Sequence, residues 1–208
     1  MSQFFQIHPE NPQSRLIKQA AQIIDKGGIV ALPTDSSYAI ACHIDDKLAV
    51  DRLRRIRGLD EKQLLSLLVR DLSELAEFAI VDNRQYRLIK ATTPGPYVFI
   101  LEATKEVPRR LSHPSRKTIG LRVPEHAITL ALLEELGQPL LATTLILPGE
   151  TEPLNDPEEI RERLEKQLDL VIDGGACPKE PSTVLDLTVT PPEVLRRGRG
   201  SLAPFGLS

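Results

Sequence analysis

Short apolar segments alternate with amphipathic helical segments through most of the chain, and this alternation constrains the fold most strongly. Near the end, three apolar segments follow one another: LVIDGG, TVLDLT and EVLRRG. Parallel strands need a long crossover, usually a helix, whereas antiparallel strands can follow one another directly. The pattern therefore predicts an α/β fold with a mixed sheet and packed helices. Because no repeat, low-complexity tract or linker interrupts it, we interpret residues 1–208 as a single domain.

The composition argues against several classes of function. Aromatic residues make up 4% of the chain, too few for the stacking platforms of proteins that bind single-stranded nucleic acid. No apolar run approaches the roughly 18 residues of a membrane helix, and the N-terminal sequence lacks a signal-peptide pattern. Cys42 and Cys177 show no disulfide or metal-ligand spacing, which is typical of a reducing compartment. We therefore expect a cytoplasmic protein that binds no membrane.

Basic residues are locally concentrated although the net charge is −3. Asp46 and Gly58 predict the two ends of one helix. Its second half contains four arginines: Arg52, Arg54, Arg55 and Arg57. A helix C-terminus carries partial negative charge, so we interpret Arg52 and Arg54 as solvated or as balancing that charge. If the cluster meets the basic residues near positions 109–110, 116–117 and 196–199 in space, together they form a local anion site.

Several predicted strands end in hydroxyl or charged side chains, among them Thr34, Arg122 and Thr144. In open α/β sheets, ligands bind beyond the strand ends, where a small hydroxyl can donate a hydrogen bond without filling the cavity. The alternative is that threonine and proline simply end strands well. Arg122 follows isoleucine, glycine and leucine, so if buried it needs an acidic or anionic partner. That partner is either a structural ion pair or a bound ligand.

Six motifs occur in order between about residues 14 and 200: LPTDSSYAIA, TTPGPYVFIL, TIGLRVPEH, PLLATTLILPG, IDGGACPKEPSTVLDL and VLRRG. Together they resemble the YrdC/Sua5 family, the threonylcarbamoyl-AMP synthases, and the chain looks closest to the YciO branch. The resemblance implies a twisted, open YrdC-like fold with a concave, basic face.

The resemblance also implies a reaction. The family's synthases convert ATP, L-threonine and bicarbonate into threonylcarbamoyl-adenylate and pyrophosphate, with Mg²⁺ bound through the ATP phosphates. The adenylate then serves tRNA modification. The family has also been regarded as binding structured or double-stranded RNA through the same concave face. Neither the residues nor the resemblance settles the oligomeric state.

Site residues follow from the motif positions. By resemblance, the nucleotide contacts are Arg57, Thr118, Thr144 and Arg196. The threonine contacts are Thr34, Arg122 and Ser182. An additional anion or RNA site consists of Arg55, Lys117, Arg197 and Arg199. Catalysis in the family is mainly positioning and charge stabilisation at phosphates, so we expect no catalytic acid, base or nucleophile and no metal bound by protein ligands.

Three positions depart from the family pattern. Glu61 stands where an asparagine contacts the nucleotide, Ser66 where a histidine contacts threonine, and Ile146 where an asparagine is usual. A carboxylate beside phosphates is unfavourable unless Mg²⁺ intervenes. Three hypotheses therefore stay open: a divergent threonylcarbamoyl-AMP synthase, an RNA-binding protein without adenylate-forming activity, and a nucleotide-binding protein whose substrate is not threonine.

Overall fold

One mixed sheet organises the computed structural model, which describes residues 1–60, 63 and 65–208. The strands in this part of the chain are β1 Gln3–Gln6, β2 Val30–Leu32, β3 Ala39–His43, β4 Ser66–Leu68, β5 Ala79–Ile80, β6 Tyr97–Ala103, β7 Thr118–Arg122, β8 Leu140–Thr144, β9 Leu170–Asp173, β10 Thr183–Asp186 and β11 Glu193–Arg196. The helices are α1 Ser14–Asp25, α2 Lys47–Arg57, α3 Leu72–Phe78, α4 Asn83–Thr92, α5 Ala127–Leu136 and α6 Pro157–Leu164, followed by a 3-10 turn at Ala203–Phe205.

The strand order is β1-β9-β2-β3-β8-β4-β7-β6-β10-β11, with β5 beside β6. The sheet contains parallel pairs, such as β4 with β7 and β6 with β10, and antiparallel pairs, such as β3 with β8 and β6 with β7. The predicted mixed sheet is therefore confirmed. In the described part of the chain, no helix is long and apolar enough to cross a bilayer.

The two faces of the sheet are covered differently. One face packs against α2, α3, α4 and α6 in a large core that includes Leu53 and Ile160. The opposite face packs against α1 and α5 only over β9, β2, β3, β8 and the end of β4. On β6, Val98 and Ile100 are 6% exposed yet belong to neither core. This uncovered half of the second face is where a cavity opens.

Helix α2 ends where the sequence predicts. The Asp46 carboxylate accepts a hydrogen bond from the Ala49 amide at 3.0 Å, and Gly58 adopts the left-handed conformation with φ of 66°. Glycine adopts this conformation without the Cβ clash that other residues meet. The helix therefore stops immediately after Arg57, which fixes the position of that arginine beside β8.

Arg52 and Arg54, interpreted from the sequence as solvated or as balancing the helix charge, both form contacts with other residues. Arg54 is 9% exposed and donates to the carbonyl oxygens of Asp60 and Gln63, each at 2.7 Å. Arg52 forms an ion pair with Asp169 at 3.1 Å. The solvated interpretation was wrong for Arg54, because the chain after the helix folds back over its guanidinium.

Candidate anion-binding pocket

A cavity of about 200 Å³ lies over the uncovered half of the sheet, at the ends of several strands. Four of the residues predicted from the sequence line it: Thr144, Arg122, Ser182 and Arg196. They come from β8, from β7, from the segment just before β10, and from β11. The tertiary structure thus brings two predicted nucleotide contacts and two predicted threonine contacts to one cavity.

Arg122 is buried at the pocket, with 5% of the residue exposed. Its Nη2 donates to Ser36 Oγ at 3.0 Å and forms an ion pair with Asp35. Burial lowers the pKa of Arg122, and the Asp35 carboxylate partly opposes that effect. The Nε of Arg122 and the Oδ2 of Asp35 are buried without a hydrogen-bond partner in the described residues.

Of the two alternatives left open for Arg122, the structural ion pair is present, and the ligand contact stays a prediction. The ion pair with Asp35 offsets the cost of burying the guanidinium, while an unpaired donor remains on a residue of the cavity wall. A buried N–H without a partner is unfavourable, so an arriving anion gains a strong, charge-assisted hydrogen bond there.

Arg196 lies on the edge strand β11 and is held by Ser182. Its Nε donates to the Ser182 carbonyl at 3.0 Å and its Nη2 to the Ser182 hydroxyl at 2.9 Å. Burial lowers the pKa of Arg196, and the positive charges of Arg122 and Arg57 lower it further. The positive charges of Arg122 and Arg57 thus act unfavourably on Arg196, and an anion bound beside Arg196 would relieve that repulsion.

Arg57 reaches the cavity rim from the end of α2. Its Nε donates to the Thr143 hydroxyl at 3.3 Å, and its Nη1 donates to the Ile146 carbonyl. Burial lowers the pKa of Arg57 as well. Arg57 itself is not part of the wall, but Thr143 and Thr144 are. Sequence reasoning missed the role of Thr143; the paired hydroxyls at the end of β8 were the available signal.

Thr34 lies behind the wall rather than on it. It is 2% exposed, its hydroxyl donates to the Ser37 carbonyl at 2.5 Å, and it accepts from the Ser36 amide at 3.1 Å. The Tyr38 hydroxyl braces the same loop by contacting the Ile172 carbonyl at 3.0 Å. Thr34 therefore shapes the loop that presents Asp35 and Ser36 to Arg122.

Thr118 shares a strand face with Arg122, as alternation along β7 predicts, and is buried. Four residues of strand rise separate the two by about 13 Å, and Thr118 is not among the residues of the cavity wall. Its predicted nucleotide contact stays a prediction.

The additional anion or RNA residues all lie outside the cavity on exposed positions: Arg55, Lys117, Arg197 and Arg199. Arg55 Nε donates to the Asp51 carbonyl at 3.4 Å, and Arg197 Nη2 donates to the Ser208 carbonyl at 2.6 Å. Within the described residues, none of the four forms an ion pair with a carboxylate.

The three departures from the family pattern fall in different places. Ser66 lies on the cavity wall, and its hydroxyl packs close to Gly120. If residue 120 carried a Cβ, that atom would lie 3.0 Å from Ser66 Oγ. Ile146 offers its backbone carbonyl to Arg57. Glu61 lies outside the described residues.

The described side chains contain no group of three or more histidine, cysteine, aspartate or glutamate residues that could hold a metal ion. At the cavity, the Asp35 carboxylate is engaged by Arg122. Mg²⁺ in nucleotide sites is commonly held by phosphates with few protein ligands. A Mg²⁺ ion that arrives bound to a nucleotide fits this arrangement better than one held by a protein cage.

The sequence model of the Sua5/YciO/YrdC family, described as "Telomere recombination", matches residues 22–198. The chain belongs to this family. It is 56% identical to YciO of Escherichia coli K12 over 205 residues, which are 99% of this chain and 100% of that protein. The crystal structure of E. coli YciO superposes with a TM-score of 0.96, again covering 99% of this chain and 100% of the other.

Two more distant relatives have a named activity or a bound ligand. The threonylcarbamoyl-AMP synthase of Vibrio vulnificus strain YJ016 is 26% identical over 88% of this chain and 98% of that protein. The crystal structure of P. abyssi Sua5 complexed with L-threonine is 28% identical, has a TM-score of 0.86 and covers 94% of this chain but 57% of that one. The resemblance inferred from the six motifs, including its YciO branch, is confirmed, as is the YrdC-like α/β fold.

Proposed function

We propose that this Sua5/YciO/YrdC protein binds ATP with Mg²⁺ and a carboxylate substrate in the pocket. It then forms an adenylate in the manner of a threonylcarbamoyl-AMP synthase, in the service of tRNA modification. The observation that carries the proposal is the set of three guanidiniums at the pocket, those of buried Arg122 and of part-buried Arg57 and Arg196, with the Arg122 Nε lacking a hydrogen-bond partner among the described residues. Site geometry and family membership support the same chemistry, since ATP and a carboxylate both bring negative charge.

The three arginines have different roles, which follow from their positions around the pocket. Arg57 and Arg196 stand at opposite ends of the pocket and supply positive charge for the phosphates, while Arg122 lies between them for the carboxylate. Mg²⁺, when bound with ATP, neutralises phosphate charge as pyrophosphate leaves. The chain's own contribution is to hold the acyl oxygen and the α-phosphate in line, because positioning and charge stabilisation carry most of the barrier reduction in phosphoryl transfer.

Pyrophosphate release tests the proposal directly. The protein is incubated with ATP, Mg²⁺ and bicarbonate, together with each amino acid in turn. Pyrophosphate release that depends on both ATP and an amino acid supports adenylate formation. The proposal would be contradicted if no amino acid led to pyrophosphate release and if ATP left the melting temperature unchanged.

A pair of variants on one helix sharpens the test. Arg57→Ala should weaken nucleotide binding several-fold or more, because Arg57 reaches the cavity rim. Arg52→Ala should do little, because that side chain faces Asp169 away from the pocket. Equal losses of affinity would show that the arginines of α2 attract the nucleotide only through their overall positive charge and not through individual contacts.

A second candidate function is binding of structured or double-stranded RNA. The specific observation in its favour is the set of exposed cations that lack a carboxylate partner among the described residues: Arg55, Lys117, Arg197 and Arg199. Binding driven by phosphate contacts weakens steeply as salt rises. A gel-shift titration of duplex RNA at several salt concentrations tests it, and undetectable binding at low salt rules it out.

A further inference from the structure

Arg122 differs from the other two arginines at the pocket in having a carboxylate partner. It forms an ion pair with Asp35, whereas Arg57 and Arg196 form no ion pair with any carboxylate in the part of the chain that the structure describes. A negative charge at this distance weakens the attraction between Arg122 and an arriving anion. Asp35 therefore opposes substrate binding electrostatically, unless it helps Arg122 in another way.

The ion pair makes only half of the contact that an arginine and a carboxylate can form. A bidentate pair has two parallel N–H···O bonds. Here Asp35 Oδ1 accepts from Arg122 Nη2, while Arg122 Nε and Asp35 Oδ2 are both buried without a hydrogen-bond partner among the described residues. A pair that served only stability would be expected to form the second bond, because that bond would satisfy both buried atoms at once.

Both acceptors that hold Arg122 converge on one nitrogen of its guanidinium. Nη2 donates to Asp35 and also to the Ser36 hydroxyl, at 3.0 Å from Ser36 Oγ. Neither Nε nor Nη1 donates a hydrogen bond to the residues that the structure describes. The guanidinium is thus held at one corner, and its other donors remain for a ligand in the cavity that Arg122 helps to line.

The loop that carries Asp35 is fixed by contacts that do not involve Arg122. Thr129 Oγ1 donates to the Pro33 carbonyl at 2.6 Å, before Asp35 in the chain. After it, the Tyr38 hydroxyl donates to a carbonyl of β9 at 3.0 Å. A long side chain keeps one orientation only if the groups that hold it are themselves fixed. Asp35 meets this condition for Arg122.

We propose that Asp35 is a positioning residue of the pocket. Its carboxylate holds Nη2 of Arg122 against the fixed loop, so that the remaining donors of the guanidinium stay available to the carboxylate of the substrate. The inference rests on the proposed function, in which Arg122 binds that carboxylate, and adds a residue that acts through Arg122 without touching the substrate.

The comparison of Asp35→Ala with Asp35→Asn tests the inference, because only asparagine keeps an oxygen that accepts from Nη2. Calorimetric titration of the full chain with L-threonine, in the presence of Mg²⁺ and a non-hydrolysable ATP analogue, gives the affinities. Asp35→Ala should bind threonine about 10- to 100-fold more weakly, the loss expected for one charge-assisted hydrogen bond. Asp35→Asn should bind it within a few-fold of the parent, or more tightly, since the opposing charge is gone.

Thermal melting separates positioning from a purely structural role. Both variants remove the counter-charge of Arg122, so both should melt below the parent. Melting temperature should therefore follow the charge at residue 35, whereas threonine affinity should follow the hydrogen-bond acceptor. If Asp35→Asn loses as much threonine affinity as Asp35→Ala, the inference is wrong.

Two further variants complete the experiment. Asp169→Ala breaks the exposed pair with Arg52 outside the pocket and should change neither threonine affinity nor that of the ATP analogue. Ser36→Ala removes the other acceptor of Nη2 without changing a charge, so it replaces Asp35→Ala if that variant does not fold. It should weaken threonine binding several-fold, and unchanged affinity would contradict the inference.

The parent protein distinguishes failure of this inference from failure of the proposed function. If it binds neither threonine nor the ATP analogue, both fail. If it binds the analogue alone, the inference fails and the nucleotide part of the proposed function stands. If it binds both and Asp35→Ala binds threonine as tightly as the parent does, only the positioning role of Asp35 is refuted.

Discussion

The buried ion pair between Asp35 and Arg122 allows a quantitative stability prediction. The two side chains are 12% and 6% exposed, so water screens their interaction little. Replacing Asp35 by alanine leaves the Arg122 guanidinium buried with its main counter-charge removed, while its bond to Ser36 remains. Breaking a buried pair in this way costs about 3–5 kcal/mol of the free energy of unfolding.

For a chain of this size, each kcal/mol corresponds to about 2–4 °C in the melting temperature, so Asp35→Ala should melt roughly 6–20 °C below the parent. Urea unfolding followed by circular dichroism measures the free energy directly. Arg52→Gln is the matched control, because it breaks the Arg52–Asp169 pair, whose side chains are 39% and 40% exposed. Exposed pairs contribute up to about 1 kcal/mol.

A double variant separates charge burial from packing. Asp35→Ala with Arg122→Met leaves no buried charge, so it should recover much of the stability lost in Asp35→Ala. If the double variant is as unstable as the single one, lost packing rather than an unpaired charge explains the effect. If Asp35→Ala costs no more than Arg52→Gln, the ion pair contributes nothing beyond a surface pair and the reasoning is refuted.

Three further predictions concern other parts of the fold. Burial lowers the pKa of His126 below 6.5 in the folded protein, so the unfolded chain binds a proton there at a higher pH than the folded chain does. The free energy of unfolding therefore falls as the pH drops through 6.5 towards the folded pKa. His126→Asn should reduce the loss of unfolding free energy between pH 7.5 and 5.5, and an unchanged loss would contradict this. Burial raises the pKa of Cys177 to about 11 and of Cys42 to about 12. Neither thiol should therefore react with a disulfide reagent at pH 8 until urea unfolds the chain. Rapid labelling of the native protein would contradict this prediction. Asp46→Ala removes the N-cap of α2 and should cost about 0.5–2 kcal/mol in urea unfolding, whereas no measurable cost would show that the cap is dispensable.

The sequence predicted much of the local structure. Asp46 and Gly58 marked both ends of α2, because capping chemistry depends on residues a few positions apart. The three closing apolar segments became β9, β10 and β11. The ordered motifs identified the family, since motif order and spacing are properties of the chain itself.

Local reasoning was less successful where a loop folds back on the chain. Arg54 was interpreted as solvated, yet it binds the carbonyl of Asp60 after the chain has turned back over α2. The ligand contact of Thr34 stays a prediction; the structure shows its hydroxyl bonded within its own loop, whose residue Ser36 contacts Arg122. No periodicity indicates such contacts, because they depend on how loops fold back in three dimensions.

By itself, then, the sequence determined most of the segments that form helices and strands, that the sheet is mixed, and which family the chain belongs to. The tertiary structure decided that Arg122 pairs with Asp35, 87 positions away, and that Arg57 reaches Ile146, 89 positions away. It also brought Thr144, Arg122 and Arg196 from three separate strands to one pocket, through the strand order. The physical reason is that element type follows from short-range chemistry, whereas the neighbours of a strand are chosen by long-range pairing and burial.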